Sequence, residues 1–102
     1  MKQAVKSIEE IKTILKEHKK DVVLKYRVIE IGIFGSFVRG EQRRHSDVDI
    51  LVKFNQRNIP GLKFIEMERY LEKFLRKKVD LIRKGGIRPE LRKVILKEVV
   101  YI

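Results

Sequence analysis

Three aspartates and one glycine–serine pair are the residues whose types and spacing could do chemistry. Asp47 and Asp49 lie in the stretch Asp47–Phe54 (DVDILVKF), which alternates once its faces are separated. Val48, Ile50, Val52 and Phe54 point one way, and Asp47, Asp49, Leu51 and Lys53 the other. Two carboxylates on one face of a strand repel each other, and each costs several kcal/mol to desolvate. A divalent cation removes both objections. Mg²⁺ typically takes one or two protein carboxylates and completes its octahedron with water and phosphate oxygens. The plain alternative is a pair of solvated carboxylates at a strand edge. Asp80 interrupts a short apolar strand, Lys78-Val79-Asp80-Leu81-Ile82. With that strand beside Asp47–Phe54, Asp80 completes a three-carboxylate set. Such a set can bridge two cations about 3.5–4 Å apart, the geometry of phosphoryl and nucleotidyl transfer. Its alternative is an ion pair of Asp80 with Lys77 or Arg83.

Gly35-Ser36 could supply an anion seat. A glycine after a buried strand lets backbone approach a ligand, because no Cβ intrudes. A helical turn that follows aims free N–H groups at an anion, and the Ser36 hydroxyl adds a donor. The alternative is a turn glycine with Ser36 as an N-cap. The combination favours the seat: Gly-Ser, ten residues, then Asp-x-Asp, which holds phosphate donors and paired carboxylates at neighbouring strand ends. His45, two residues before Asp47, could reach a phosphate or simply be solvated. His18 reads as a surface or interface residue of the first helix. Arg76-Lys77-Lys78 and Arg83-Lys84 flank the third strand and could steer an anion or form a solvated rim. Tyr101 reads as a packing residue.

The elements that must position these residues follow from periodicity. Ser7 and Glu10 form a capping box, and Ile8, Ile11, Leu15, Val22 and Tyr26 share one face, predicting a helix over about 7–25. Val28–Phe34 (VIEIGIF) is apolar at nearly every position, as in a strand covered on both faces. A short helical turn follows Gly35-Ser36, then a polar loop over 40–46. Residues 55–61 read as a turn region. Leu62, Ile65, Met67, Leu71 and Leu75 suit a helix over about 61–77. Val79–Arg83 is a third strand, Gly85-Gly86 breaks the chain, and Pro89 opens a last helix over 89–98. The predicted class is α/β, a small mixed sheet with helices packed against it, in the order α-β-(short α)-β-α-β-α.

Composition narrows the function classes. The 102 residues suit a single domain over 1–102, able to bury about two-thirds of its unfolded surface. The chain has no cysteine, which excludes disulfides, thiol nucleophiles and zinc or iron–sulfur ligation by thiolate. No apolar run approaches the length that spans a bilayer, and Met1–Lys20 lacks a signal-peptide pattern, so a cytoplasmic location is expected. The net charge is +11, with thirteen Lys/Arg against six Asp/Glu in residues 55–102. Such an excess attracts polyanions, or is the solvated surface of a heavily charged, thermostable protein.

Gly35-Ser36-Phe37-Val38-Arg39-Gly40 followed by Ser46-Asp47-Val48-Asp49-Ile50-Leu51-Val52 resembles the signature of the DNA polymerase β-like nucleotidyltransferases. More narrowly, the chain is similar to the minimal nucleotidyltransferase domain, and the likeness covers nearly its whole length. The resemblance implies a polymerase β palm-like fold. It implies that Asp47, Asp49 and Asp80 hold metal, two Mg²⁺ ions, with Asp80 also serving the acceptor hydroxyl. Gly35 and Ser36 would hold the triphosphate of ATP. Arg39 matches the family's Arg-Gly, and would act near the phosphates or form an ion pair with Glu41 or Asp47. Members of this class are often antitoxins of HEPN-domain toxins, which implies transfer of AMP from ATP to a toxin tyrosine within a toxin–antitoxin complex. The chain has no added domain for an acceptor, so the acceptor is expected to be small or another protein. Two rivals stand beside this expectation. One is a non-catalytic antitoxin that neutralises by binding. The other is a basic nucleic-acid-binding module, which fits the charge but lacks stacking aromatics in a basic stripe; nucleic acid is otherwise expected to be involved only indirectly.

Overall fold

The computed structural model describes residues 3–55 and 59–102. A helix α1 (Ile8–Tyr26) leads into strand β1 (Val28–Phe34), the short helix α2 (Ser36–Arg39) and strand β2 (Val48–Phe54). Helix α3 (Gly61–Leu75), strand β3 (Val79–Arg83), a 3-10 turn (Lys84–Gly86), helix α4 (Pro89–Glu98) and strand β4 (Val100–Tyr101) follow. The four strands form one mixed sheet in the order β3-β2-β1-β4. β1 is antiparallel to β2 and β4, and β2 is parallel to β3.

Each face of the sheet is covered by a separate apolar cluster. Val48, Ile50 and Val52 of β2 pack with Ile11, Leu15 and Val22 of α1 and Met67, Leu71 and Leu75 of α3. Leu51, on the other face of β2, packs with Phe34, Ile87 and Ile95 of α4. The two-faced reading of Asp47–Phe54 therefore holds, with the carboxylates on the α4 side. β1 is covered at its C-terminal half, whereas Ile29 at its start is exposed, so the expectation of burial on both faces fails there.

Local chemistry explains most boundaries. Ser7 Oγ accepts the Glu10 N–H at 3.2 Å, but the Glu10 carboxylate reaches the Lys6 N–H rather than that of Ser7. The box is thus displaced by one residue toward the N-terminus. α1 ends at Tyr26 with Arg27 in the left-handed region, its N–H bonded to Val23. α3 ends at Leu75, two residues before the predicted limit, because Arg76 turns left-handed. Leu62 and Ile65, expected on its inner face, are exposed; the buried row is Met67, Leu71 and Leu75. Residues 56–58 of the predicted turn region lie outside the described residues. The sequence pattern also omitted β4, whose Val100 and Tyr101 pair with Ile33 and Gly32. Tyr101 is correspondingly not a core residue: it is 45% exposed, with Lys84 Nζ 5.1 Å from its ring. His18 stacks on Phe74 with ring centroids 3.7 Å apart.

The free edge of β3 is closed by α3. The Val79 N–H donates to Glu72 Oε2 at 2.9 Å, and the Leu81 N–H to Glu68 Oε2 at 3.1 Å. Carboxylates that take up edge N–H groups remove a template for unwanted strand pairing. They also hold the backbone on both sides of Asp80.

Candidate active site

The site assembles where β1 ends and β2 and β3 begin. The parallel register sets Asp49 directly beside Asp80, with strands about 4.8 Å apart. Asp47 stands one residue before β2, close enough for its charge to act on Asp49. Its approach is held by a turn in which Ser46 Oγ accepts the Arg43 N–H at 2.8 Å, and by the bond from Val48 N–H to the Lys78 carbonyl at 2.9 Å. The antiparallel register places Phe34 opposite Asp49, so Gly35 follows onto the Asp49 side chain.

Gly35 has φ of +82°, a conformation that L side chains rarely adopt. A Cβ there would lie 2.9 Å from Asp49 Cγ and collide with its carboxylate oxygen. The glycine is therefore required by Asp49 itself, not only by a ligand. Gly35 is also the N-cap of α2, with Ser36 as the first helical residue, so the N-cap alternative for Ser36 fails. The first N–H groups of a helix have no partner within it. Those of Ser36 and Phe37 thus begin a turn beside the carboxylates. The Gly35 carbonyl accepts from Val38 and Arg39 and closes the turn.

The electrostatics at Asp49 are those of crowded negative charge. Burial pushes its carboxyl up to about 6, and Asp80, Asp47 and Glu98 add to the rise while Arg39 opposes it. Arg39 forms the ion pair with Glu41 foreseen as one alternative, Nε to Oε1 at 2.6 Å, and a second with Glu98, Nη1 to Oε1 at 2.7 Å. Lys77 Nζ donates to the Arg44 carbonyl and the Arg83 guanidinium lies over the Phe54 ring at 5.7 Å. His45 is exposed.

Residues 8–102 match the nucleotidyltransferase domain family. The chain belongs to that family. Protein adenylyltransferase MntA of Thermococcus cleftensis is 50% identical over 100 residues, covering 97% of this chain and 99% of that protein. A candidate protein adenylyltransferase of Methanocaldococcus jannaschii is 45% identical over 100 residues, 96% of this chain and 100% of its own. The solved structure of a candidate minimal nucleotidyltransferase superposes with a TM-score of 0.78 at 28% identity, covering 96% of this chain and 98% of that one. A toxin–antitoxin crystal structure with AMP-PNP shares the fold at a TM-score of 0.67 and 22% identity, over 91% of this chain and 69% of that one.

Two features of this nucleotidyltransferase bear on its chemistry. Among the described residues, no three His, Cys, Asp or Glu side chains are grouped so that they could hold a metal ion as they stand. Yet Asp49 carries three carboxylate neighbours against one opposing arginine. An open, negatively overcharged oxygen set fits a hard cation that completes its shell with substrate oxygens, as Mg²⁺ does. The second feature is Glu98, which sequence reasoning missed. Its Oε2 accepts the Gly35 N–H at 2.8 Å while Oε1 holds Arg39. The available signal was its place three residues after buried Ile95, on the inward face of α4.

Proposed function

We propose that this nucleotidyltransferase transfers AMP from ATP to a hydroxyl of a protein acceptor, a tyrosine of a HEPN-type toxin, and so acts as its antitoxin within a toxin–antitoxin complex. The reading rests most on one observation: the Gly35 turn lies against the Asp49 carboxylate, which supports reading that turn as an anion seat beside the carboxylates. The relatives named as protein adenylyltransferases, matched over nearly their whole length, support the substrate class.

In the proposed reaction the acceptor oxygen attacks the α-phosphorus in line, the bond from that phosphorus to the bridging oxygen breaks, and pyrophosphate leaves with the electron pair. Asp47, Asp49 and Asp80 are the residues that would hold divalent cations, and such cations would supply charge neutralisation at the phosphate oxygens. Ser36 donates its hydroxyl, and the N-terminal turn of α2 its free N–H groups, to the triphosphate. Arg39 adds positive charge beside that seat. Asp80, itself exposed, takes the proton of the acceptor hydroxyl. None of these groups forms a covalent bond to substrate, so rate arises from positioning and charge stabilisation.

The test titrates the ribonuclease activity of a HEPN-domain toxin against this protein, with and without Mg-ATP. An enzyme neutralises substoichiometrically, only with ATP, and raises the partner's mass in steps of one AMP. A one-to-one, nucleotide-independent endpoint unaffected by Asp47→Asn overturns the reading.

A further inference from the structure

The geometry points to Glu98 as a positioning residue that holds the Gly35 turn and Arg39 in the conformation that receives the triphosphate. The inference rests on the reading above and adds a role for the last residue of α4. Its two carboxylate oxygens are divided between the two components of the anion seat. Oε2 takes the Gly35 N–H at 2.8 Å and Oε1 takes Arg39 Nη1 at 2.7 Å. The Glu98 side chain is 14% exposed, against 49% for Arg39, so the carboxylate is the fixed member of the pair.

What it fixes matters because Gly35 stands in a left-handed conformation with the Asp49 carboxylate against its Cα. A glycine has no side chain to hold its own backbone, so the peptides on either side of it must be held by hydrogen bonds. The Gly35 N–H bond to Glu98 pins the Phe34–Gly35 peptide from a point 63 residues away in sequence, while the Gly35 carbonyl, accepting from Val38 and Arg39, pins the peptide that follows. The same carboxylate turns Arg39 toward the site, while Glu41 holds its Nε from the solvent side. Glu98 in turn is placed by β4, which begins two residues later and pairs with β1 at Gly32 and Ile33. Val99 fits there because Gly32 has no side chain: a Cβ on Gly32 would lie 2.6 Å from Val99 Cγ2.

The bond also assigns the donors. Since the Gly35 N–H is used internally, the triphosphate is received by the Ser36 hydroxyl and the N–H groups that follow it. This is opposite to a reading in which the Glu98 carboxylate stands in for phosphate and must be displaced. The two make opposite predictions for nucleotide affinity.

Glu98→Gln keeps an oxygen for the Gly35 N–H but loses the charge facing Arg39, and Glu98→Ala loses both. With Mg-ATP, the expected result is a KM for ATP raised about tenfold by Glu98→Gln and about a hundredfold by Glu98→Ala. The kcat at saturation stays within a few-fold of wild type. The Gly35 amide exchanges its hydrogen faster in Glu98→Ala than in Glu98→Gln, and faster in both than in wild type, at pH and temperature where all three are folded. A KM that falls in either variant, or stays unchanged, overturns the inference, as does a uniform loss of kcat that tracks thermal stability. If Glu98→Ala does not fold, Glu98→Gln decides by the same criteria. Wild-type protein that neither binds nor turns over ATP defeats the proposed function itself. Normal wild-type turnover with unaltered variants defeats the role of Glu98 alone.

Discussion

Replacing Asp49 with asparagine should make the metal-free protein more stable while abolishing its activity, an unusual pairing that follows from the crowding of charge. The carboxyl is raised from an ordinary 3.8 to about 6, first by burial and then by Asp80, Asp47 and Glu98. Taken at face value, a rise of that size corresponds to roughly 3 kcal/mol, at about 1.36 kcal/mol per decade of proton affinity. Asp49 is only partly buried, and solvent screening reduces the effect to about 1–2 kcal/mol. The sign follows from linkage: the folded state binds the proton more tightly than the unfolded state. Stability is therefore greatest at low pH with respect to this group and falls as pH rises from about 4 through about 6. Asparagine is nearly isosteric, carries no charge at any pH, and fits the same space against Gly35. Thermal melts in EDTA should show Asp49→Asn melting roughly 5–10 °C above wild type at pH 8 and close to it near pH 4. Added Mg²⁺ should raise the wild-type midpoint and leave that of the variant nearly unchanged. AMP transfer should fall by at least about a hundredfold. A variant less stable than wild type at pH 8 in EDTA would refute the charge-crowding argument.

Other substitutions probe the turn and its supports. Ser36→Ala removes a hydroxyl donor to a charged phosphate and should weaken ATP binding about ten- to a hundredfold by equilibrium titration, with the melting temperature little changed. Gly35→Ala places a Cβ against the Asp49 carboxylate at a φ of +82° and should cost about 2–4 kcal/mol in denaturant melts and eliminate transfer. Gly40→Ala, at a φ of +71° in open space, should cost about 1 kcal/mol and keep transfer, which separates backbone strain from the collision. Gly32→Ala should cost about 1–3 kcal/mol and raise the KM for ATP, because displacing Val99 moves the segment that carries Glu98.

The limits of β1, β3 and α4 were legible because each is a compact apolar pattern between clear breaks: Gly35 after Phe34, Gly85-Gly86 after Arg83, and Pro89 at a helix start. Asp47, Asp49 and Asp80 were legible as a group for a different reason. Period two puts the first pair on one face, and a lone acid in VDLI needs an outlet. What remained hidden depends on contacts between distant segments. β4 is two residues long and acquires its identity only by pairing with β1. The phase of α3 follows its buried row Met67, Leu71 and Leu75, with Glu68 and Glu72 reaching the β3 edge and Leu62 and Ile65 left outward. The reason for Gly35 was half legible. A tight turn was expected, but the group that excludes a side chain is a carboxylate fourteen residues later, placed there by the β1–β2 register.

The distribution of charge around the site explains how an acidic cluster can receive a still more acidic substrate. A triphosphate brought alone toward Asp47, Asp49 and Asp80 meets repulsion, and Arg39, the cation beside them, is already paired with Glu41 and Glu98. The chain as a whole, however, carries +11. The two fields act over different ranges: the net charge is felt beyond about 10 Å at low salt, whereas the carboxylates dominate within a few ångströms. Parts of the basic surface are already spent internally, with Lys84 bonded to Glu30 at 2.7 Å and Lys77 to the Arg44 carbonyl at 2.8 Å. What draws the anion in is therefore the diffuse excess rather than one basic pocket. In the proposed reaction this gives a two-stage filter: any polyphosphate is attracted, but only one accompanied by divalent cations can settle among the aspartates. The kcat/KM for ATP should then fall steeply as monovalent salt rises from about 50 to 500 mM, while kcat measured at saturating Mg-ATP changes little. Equal salt sensitivity in the two quantities would mean that the +11 acts on the chemistry itself, and the filter would have to be abandoned.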